Sequence, residues 1–299
     1  MVLFLRQRQL LALLDAVGGR LQNLDFQKLL FLFCAESEST PPYDFVPYRF
    51  GAFSFTSYAD RRKLAERNFV SPSDKAWEIT VVGRKQARSD SQLQNSAEAF
   101  AAKYQGLRGN RLIVETYKQY PYFAIRSEIA HKLLRNDPAA LEAITQQQQR
   151  ITAFCIATIG YEAKTLEGYL NTLLKAGISI LCDVRRNPIS RKYGFSKSNL
   201  AQCCLNLGIR YEHLPELGIA SDYRQELNTQ ADYDDLFAVY VLTMLPKQGE
   251  ALQKIENWVL QGNRVALTCY EHNPNQCHRH CVADALSKRL GSGFSPVHL

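Results

Sequence analysis

What this 299-residue chain lacks limits its class. No apolar run approaches the roughly 18 residues that a membrane-spanning helix needs, so no membrane association is expected. The opening MVLFLRQRQLLALL has no basic segment ahead of its apolar stretch and no small-residue cleavage signal. A secretory leader is therefore not expected, and the expected location is the cytoplasm. No internal repeat of about 20–50 residues is visible, which argues against solenoids and propellers. Eight cysteines are too few in a chain this long for the disulfide framework of a small secreted domain. Cys155, Cys182, Cys203 and Cys204 lie in apolar stretches and read as reduced core residues.

Hydrophobic residues make up 46% of the chain, enough for a sizeable core, and the length points to two domains. Charge is uneven: residues 1–150 hold 21 Lys and Arg against 15 Asp and Glu, and residues 151–299 hold 15 against 14. A basic first half suggests a polyanionic partner, although a solvated surface has the same composition. The join is read at NDPAALEAITQQQQR, residues 136–150, a short helical or flexible connector between domains at 1–135 and 151–299.

Before the join, Leu10, Leu11, Leu13, Leu14 and Val17 mark one helix, residues 25–34 a second, and SYADRRKLAERN, residues 57–68, a third. WEITVVGRKQA then reads as a β-prone wing turning at Gly83. Three helices and a wing are the order of a winged helix-turn-helix, whose third helix enters the major groove. Arg61, Arg62, Lys63 and Arg67 on that helix, with Arg84 and Lys85 after the wing, are the expected DNA contacts. A helical domain that binds protein is the competing reading. The aromatic and hydrophobic pattern of residues 5–135, in KLLFLFCAE, YDFVPYRFGAFSFTSYADRRKLAERNFV and YPYFAIRSEIA, resembles winged-helix domains of bacterial regulator and defence-associated proteins.

After the join, strands and helices alternate. ITAFCIATIGY, ISILCDVR, IRYEHLP and RVALTCYE are apolar strands, with SPVHL as an edge strand. The helices between them end at Gly177, Gly208 and Gly262. The expected fold is α/β, a mainly parallel sheet flanked by helices, preceded by the mostly helical winged-helix-like domain.

Ligands of such sheets bind at the carboxyl ends of the strands. Those ends deliver Tyr161, then Asp183, Arg185 and Arg186, then Glu216, then Cys269 and Glu271, with His278 and Arg279 opening the last helix. Asp183, Glu216, Glu271, Cys269 and Tyr161 are the candidate catalytic groups. Arg185, Arg186, His278 and Arg279 are the candidate anion clamp. Asp183, Arg185, Glu216, Glu271 and Arg279 are expected to line one pocket, with Cys269 and His278 at its rim or floor. Asp183 can equally serve as the structural partner of an arginine. A phosphatase-type Cys–Arg loop is rejected, because nine residues intervene between Cys269 and Arg279. Cys277, His278, His280 and Cys281 invite a zinc reading: Cys277 and Cys281 are spaced to share a metal on one helix, and Cys269 could contribute. No second pair at zinc-module spacing exists, so neither metal nor cofactor is assigned.

The segments TIGYEAKTLEGYLNTLLKAGI, LCDVRRNP, GIRYEHLPELG and ALTCYEHNPNQCHRHCVADAL resemble, in order, the domain of unknown function 488 family over about residues 155–299. The resemblance implies the α/β fold and leaves the activity open. Tyr161 stands where that family commonly has histidine. The expected function is a DNA-binding protein whose hydrolytic α/β domain acts on a nucleic-acid or nucleotide substrate. N-glycosidic cleavage of a modified base in foreign DNA is favoured over phosphodiester cleavage, because carboxylates are present and the acidic cluster of two-metal nucleases is not. The alternatives are a ligand-sensing transcription regulator and a protein-interaction module.

Overall fold

The computed structural model describes residues 3–36, 41–148, 155–224, 227–291 and 294–299. The chain divides into two compact units, Met1–Gln148 and Gln149–Leu299. Among the described residues no helix is long and apolar enough to cross a membrane.

The N-terminal unit is mostly helical. Helix α1 (Leu5–Ala16) buries Leu10, Leu11, Leu13 and Leu14, and α2 (Asn23–Ala35) buries Phe26, Leu29, Leu30 and Leu32. Strand β1 (Arg20–Gln22) lies between them, and β2 (Val46–Tyr48) and β3 (Gly51–Phe53) form an antiparallel hairpin after α2. Helix α3 (Phe55–Glu66) starts where the Ser54 hydroxyl accepts from the Ser57 N–H. Strand β4 (Ala76–Glu78) pairs antiparallel with β1, setting Leu21 opposite Trp77. Helices α4 (Val81–Ala87), α5 (Ser91–Lys103), α6 (Gly109–Gln119), α7 (Ala130–Leu133) and α8 (Pro138–Gln146) complete the unit. Most of the expected connector is therefore helix α8, whose Ile144 is buried in this unit's core.

The wing differs from expectation. The chain reverses over residues 72–75, where the Ser71 N–H donates to Glu78 O and the Thr80 N–H to Phe69 O. Residues 81–87 are helical, capped by the Thr80 hydroxyl, which accepts from the Gly83 N–H at 3.0 Å. A Cβ on Gly83 would sit 1.9 Å from Phe69 O, so this glycine permits close packing and makes no turn. Val81 and Val82 are exposed and have no strand to pair with, so their β-preference does not prevail.

The expected DNA contacts divide accordingly. Arg61 is buried: its guanidinium donates to Ser73 O and, at 2.6 Å, to Ala76 O, and lies 5.0 Å over the Trp77 ring. It ties α3 to the hairpin and offers nothing to DNA, a correction to the sequence reading. Arg84 sits on α4 and pairs with Asp15 at 2.7 Å. Arg67 lies over the Phe69 ring, whereas Arg62, Lys63 and Lys85 are exposed.

Lys28 on α2 is almost fully buried, donates to Ala52 O at 3.0 Å, and has no acidic group within ion-pair distance among the described residues. Burial lowers its pKa from 10.5 to about 7. Between those values the unfolded chain holds a proton that the folded chain has released, so stability should rise with pH across that window. Lys28→Met should flatten the rise, as read from thermal melts between neutral and alkaline pH. A rise of unchanged slope in the variant would remove Lys28 as its source.

The C-terminal unit alternates strand and helix. Strand β5 (Ile156–Gly160), helix α9 (Leu166–Lys175), β6 (Ile180–Asp183), α10 (Lys197–Asn206), β7 (Arg210–His213), α11 (Gln230–Val239), α12 (Gly249–Leu260), β8 (Val265–Cys269), α13 (Arg279–Leu290) and β9 (Val297–His298) follow in order. Residues 151–154, expected to begin the first strand, lie outside the described residues. The sheet order is β7-β6-β8-β5-β9, and every pairing is parallel. Strands β5, β6 and β8 are buried along their whole length, which is why they read as continuous apolar runs. Gly177 adopts φ +64° and closes α9, where the Ile178 N–H reaches Leu173 O and the Gly177 N–H reaches Leu174 O.

Candidate functional site at the strand ends

The register brings the carboxyl ends of four strands level: Gly160 pairs with Cys269, and Asp183 pairs with both Thr268 and His213. The loop after β8 folds over the end of β5. Tyr270 O accepts from the N–H groups of Tyr161 and Glu162, at 3.1 and 2.9 Å. A Cβ on Gly160 would lie 1.8 Å from Glu271 O, so only glycine allows this crossing. Arg279, 1% exposed, secures the same loop from α13, donating to Glu271 O at 2.6 Å and His272 O at 3.0 Å.

A second assembly holds the loop after β6. Asp183 is wholly buried and Arg185 nearly so. Arg185 Nε donates to Asp183 Oδ1 at 2.8 Å, its Nη2 donates to Asp183 Oδ2, and its backbone N–H donates to Oδ1 at 3.1 Å. The Tyr211 hydroxyl from β7 donates to Asp183 Oδ2 at 2.5 Å. Arg185 Nη1 donates onward to the Tyr161 hydroxyl (2.8 Å) and to Phe195 O (2.9 Å). Burial on its own would lower the Arg185 pKa, but the bonds to Asp183 and Tyr161 outweigh it and raise that pKa. Burial and the Asp183 charge raise the Tyr211 phenol. Tyr161 stacks on Phe195 with ring centroids 4.4 Å apart.

Between these assemblies lies a cavity of about 340 Å³. Arg185, Arg186, Arg191, Glu271, Cys269 and His278 line it, together with Tyr161, Tyr270 and the 187–190 loop. The model of the family described as Domain of unknown function DUF488 matches residues 165–286. Residues 165–286 are thus similar to that family. No curated protein and no solved structure matches the chain. The DUF488 segment supplies most of the cavity wall, while Tyr161 lies just outside it.

The single pocket anticipated from the sequence is therefore only partly assembled. Arg185, Glu271, Cys269 and His278 come together, with Arg186 and Tyr161 beside them. Asp183, Glu216 and Arg279 are not in the wall. Asp183 is spent on Arg185, Tyr211 and the loop backbone. Glu216 is exposed in the 3₁₀ turn after β7. Arg279 donates through its two terminal nitrogens to loop carbonyls, and its buried Nε has no partner among the described residues. Cys281 stands apart from Cys269, its sulfur 3.3 Å from His280 Nε2.

Arg191, Ser190 and Tyr211 were not anticipated as site residues. The basic run RRNPISRK of the DUF488 segment was the available signal for Arg191, whereas nothing local marks Tyr211 as the partner of Asp183. Because Asp183 is the one carboxylate paired with Arg185 among the described residues, Asp183→Asn should lower the unfolding free energy by about 3–5 kcal/mol in urea titrations. Wild-type stability in that variant, with function lost, would return Asp183 to a chemical role.

Proposed function

We propose that the DUF488 segment binds a nucleotide-type substrate in this cavity and hydrolyses its N-glycosidic bond, with DNA as the carrier of the nucleotide. The supporting observation is the wall itself: among the described residues Glu271 is the one carboxylate that lines it, and it shares the wall with Arg186 and Arg191. Exposed guanidiniums suit a phosphate, which they can grip through two parallel N–H donors. Cleavage of a glycosidic bond builds positive charge on the sugar, which a facing carboxylate stabilises. Water oxygen bonds to the anomeric carbon, the carbon–nitrogen bond breaks, and the base leaves with the electron pair and takes up a proton from solvent. Glu271 takes the proton from the attacking water and returns it to solvent, so one proton is transferred net. The usual two-carboxylate arrangement does not apply, because Asp183 is ion-paired and Glu216 stands outside the wall.

For the DNA component, the support is the excess of basic residues in the first half and the exposure of Arg62, Lys63 and Lys85. Eight cysteines without a disulfide fit a cytoplasmic setting.

Incubation with nucleoside monophosphates and with normal and base-modified DNA should release free base, detected by chromatography. Glu271→Gln should reduce release by about 100-fold or more, with an unchanged melting temperature. Tight nucleotide binding without base release in the wild type would replace catalysis by a ligand-sensing role.

Changing Arg62, Lys63 and Lys85 together to Ala should weaken DNA binding and reduce its salt slope by up to about three, roughly one per lost phosphate contact. The same affinity and slope as wild type would remove this surface from DNA recognition.

A further inference from the structure

The floor of the cavity carries a donor set that glycosidic cleavage does not use. Cys269 ends β8, and Cys277 and His278 lead into α13. Their two sulfurs and one imidazole nitrogen lie within 4.8 Å of one another, with Cys269 Sγ 3.9 Å from His278 Nδ1. All three residues are buried, and Cys269 and His278 reach the cavity wall.

The orientation of His278 is decisive. Its Nε2 lies 3.0 Å from Val184 O. A carbonyl oxygen only accepts, so Nε2 carries the proton and Nδ1 turns its lone pair toward the thiols. Metal-binding histidines are arranged this way, one nitrogen on the ion and the other donating to a carbonyl or carboxylate that fixes the ring. Two sulfurs and one imidazole make a soft set suited to zinc, and catalytic zinc sites use three protein ligands with the fourth position open.

We propose that Cys269, Cys277 and His278 form a three-ligand site for a zinc-class divalent cation whose fourth coordination position faces the cavity. Tetrahedral bonds of about 2.3 Å to sulfur and 2.0–2.1 Å to nitrogen set sulfur and nitrogen roughly 3.6 Å apart and the two sulfurs about 3.8 Å apart. The donors reach those separations with shifts of less than about one ångström. Binding a divalent cation releases the thiol protons to solvent. The open position would present a metal-bound water beside Glu271. The site goes beyond the glycosidic reading, since the cation binds whichever bond a substrate offers.

The test uses the full-length chain without an affinity tag, purified under reducing conditions with no chelator. Elemental analysis should find about one zinc per chain. Cys269→Ser, Cys277→Ser and His278→Asn should each lose most of it, and Cys281→Ser should retain it. A variant can lose metal by misfolding, so the wild-type chain is also loaded with Co²⁺. Intense visible bands with near-ultraviolet thiolate-to-cobalt charge transfer are expected of a tetrahedral sulfur-bearing site. A wild-type chain that holds no zinc and shows no such bands with added Co²⁺ would overturn the proposal. So would full zinc content in all three ligand variants, which would put the ion elsewhere.

Discussion

The C-terminal architecture depends on one buried ion pair. Asp183 ends the strand between β7 and β8, where a carboxylate with no partner would not remain charged. Arg185, two residues on, turns back and meets both carboxylate oxygens. The turn fixes the first residues of the loop, and the same guanidinium reaches the Tyr161 hydroxyl and Phe195 O. One arginine thus links the end of β6 to the residue after β5 and to the far end of its own loop. The bond from Tyr211 adds β7. Such a pair contributes modest net stability compared with a well-packed apolar equivalent, but losing either partner leaves the other charge stranded. Its main effect is to hold loop positions, and the cavity exists because those loops are held.

The other side of the cavity rests on close backbone approach. With no Cβ at Gly160, the loop after β8 can cross the end of β5 and reach the Tyr161 and Glu162 N–H groups. Gly218 has a comparable position: a Cβ there would lie 2.2 Å from the Arg186 backbone nitrogen. At two strand ends, then, the absence of a side chain lets a loop come near enough to present Glu271 and Arg186.

The strands of the C-terminal unit were legible because a sheet covered on both faces needs continuous apolar runs, and the helices between them declared themselves by apolar spacing and closing glycines. The N-terminal helices were legible for the same reason: Leu10, Leu11, Leu13 and Leu14 have nowhere to go but a core. The hairpin was misread because ITVV has the local preference of a strand, whereas Thr80 caps a helix there and Phe69 O crowds Gly83. At the site, sequence could say which residues stand at strand ends but not which of them neutralise one another. Asp183 and Glu216 look equivalent in the sequence. In the fold one is sealed beneath an arginine and the other faces solvent. That difference depends on Tyr211, in another strand, and on the direction of the 3₁₀ turn after β7.

Arginines explain most of the remaining discrepancy, and they do so alike in both units. Arg61, Arg185 and Arg279 are all buried, and each donates to carbonyls in or at the edge of irregular backbone: Ser73 and the first residue of β4, Ala76; Phe195; and Glu271 and His272. A loop without regular pairing leaves acceptors that water would otherwise satisfy, and a guanidinium can serve several at once. Buried arginine is therefore a means of holding loops in this protein, and Arg185 does so while also lining the cavity. Arg62, Arg186 and Arg191 are exposed, so their charge remains presented to solvent and to any polyanion there. Partner identity has to be argued from those residues, because a charge already committed to the chain's own carbonyls has little left with which to recognise a phosphate.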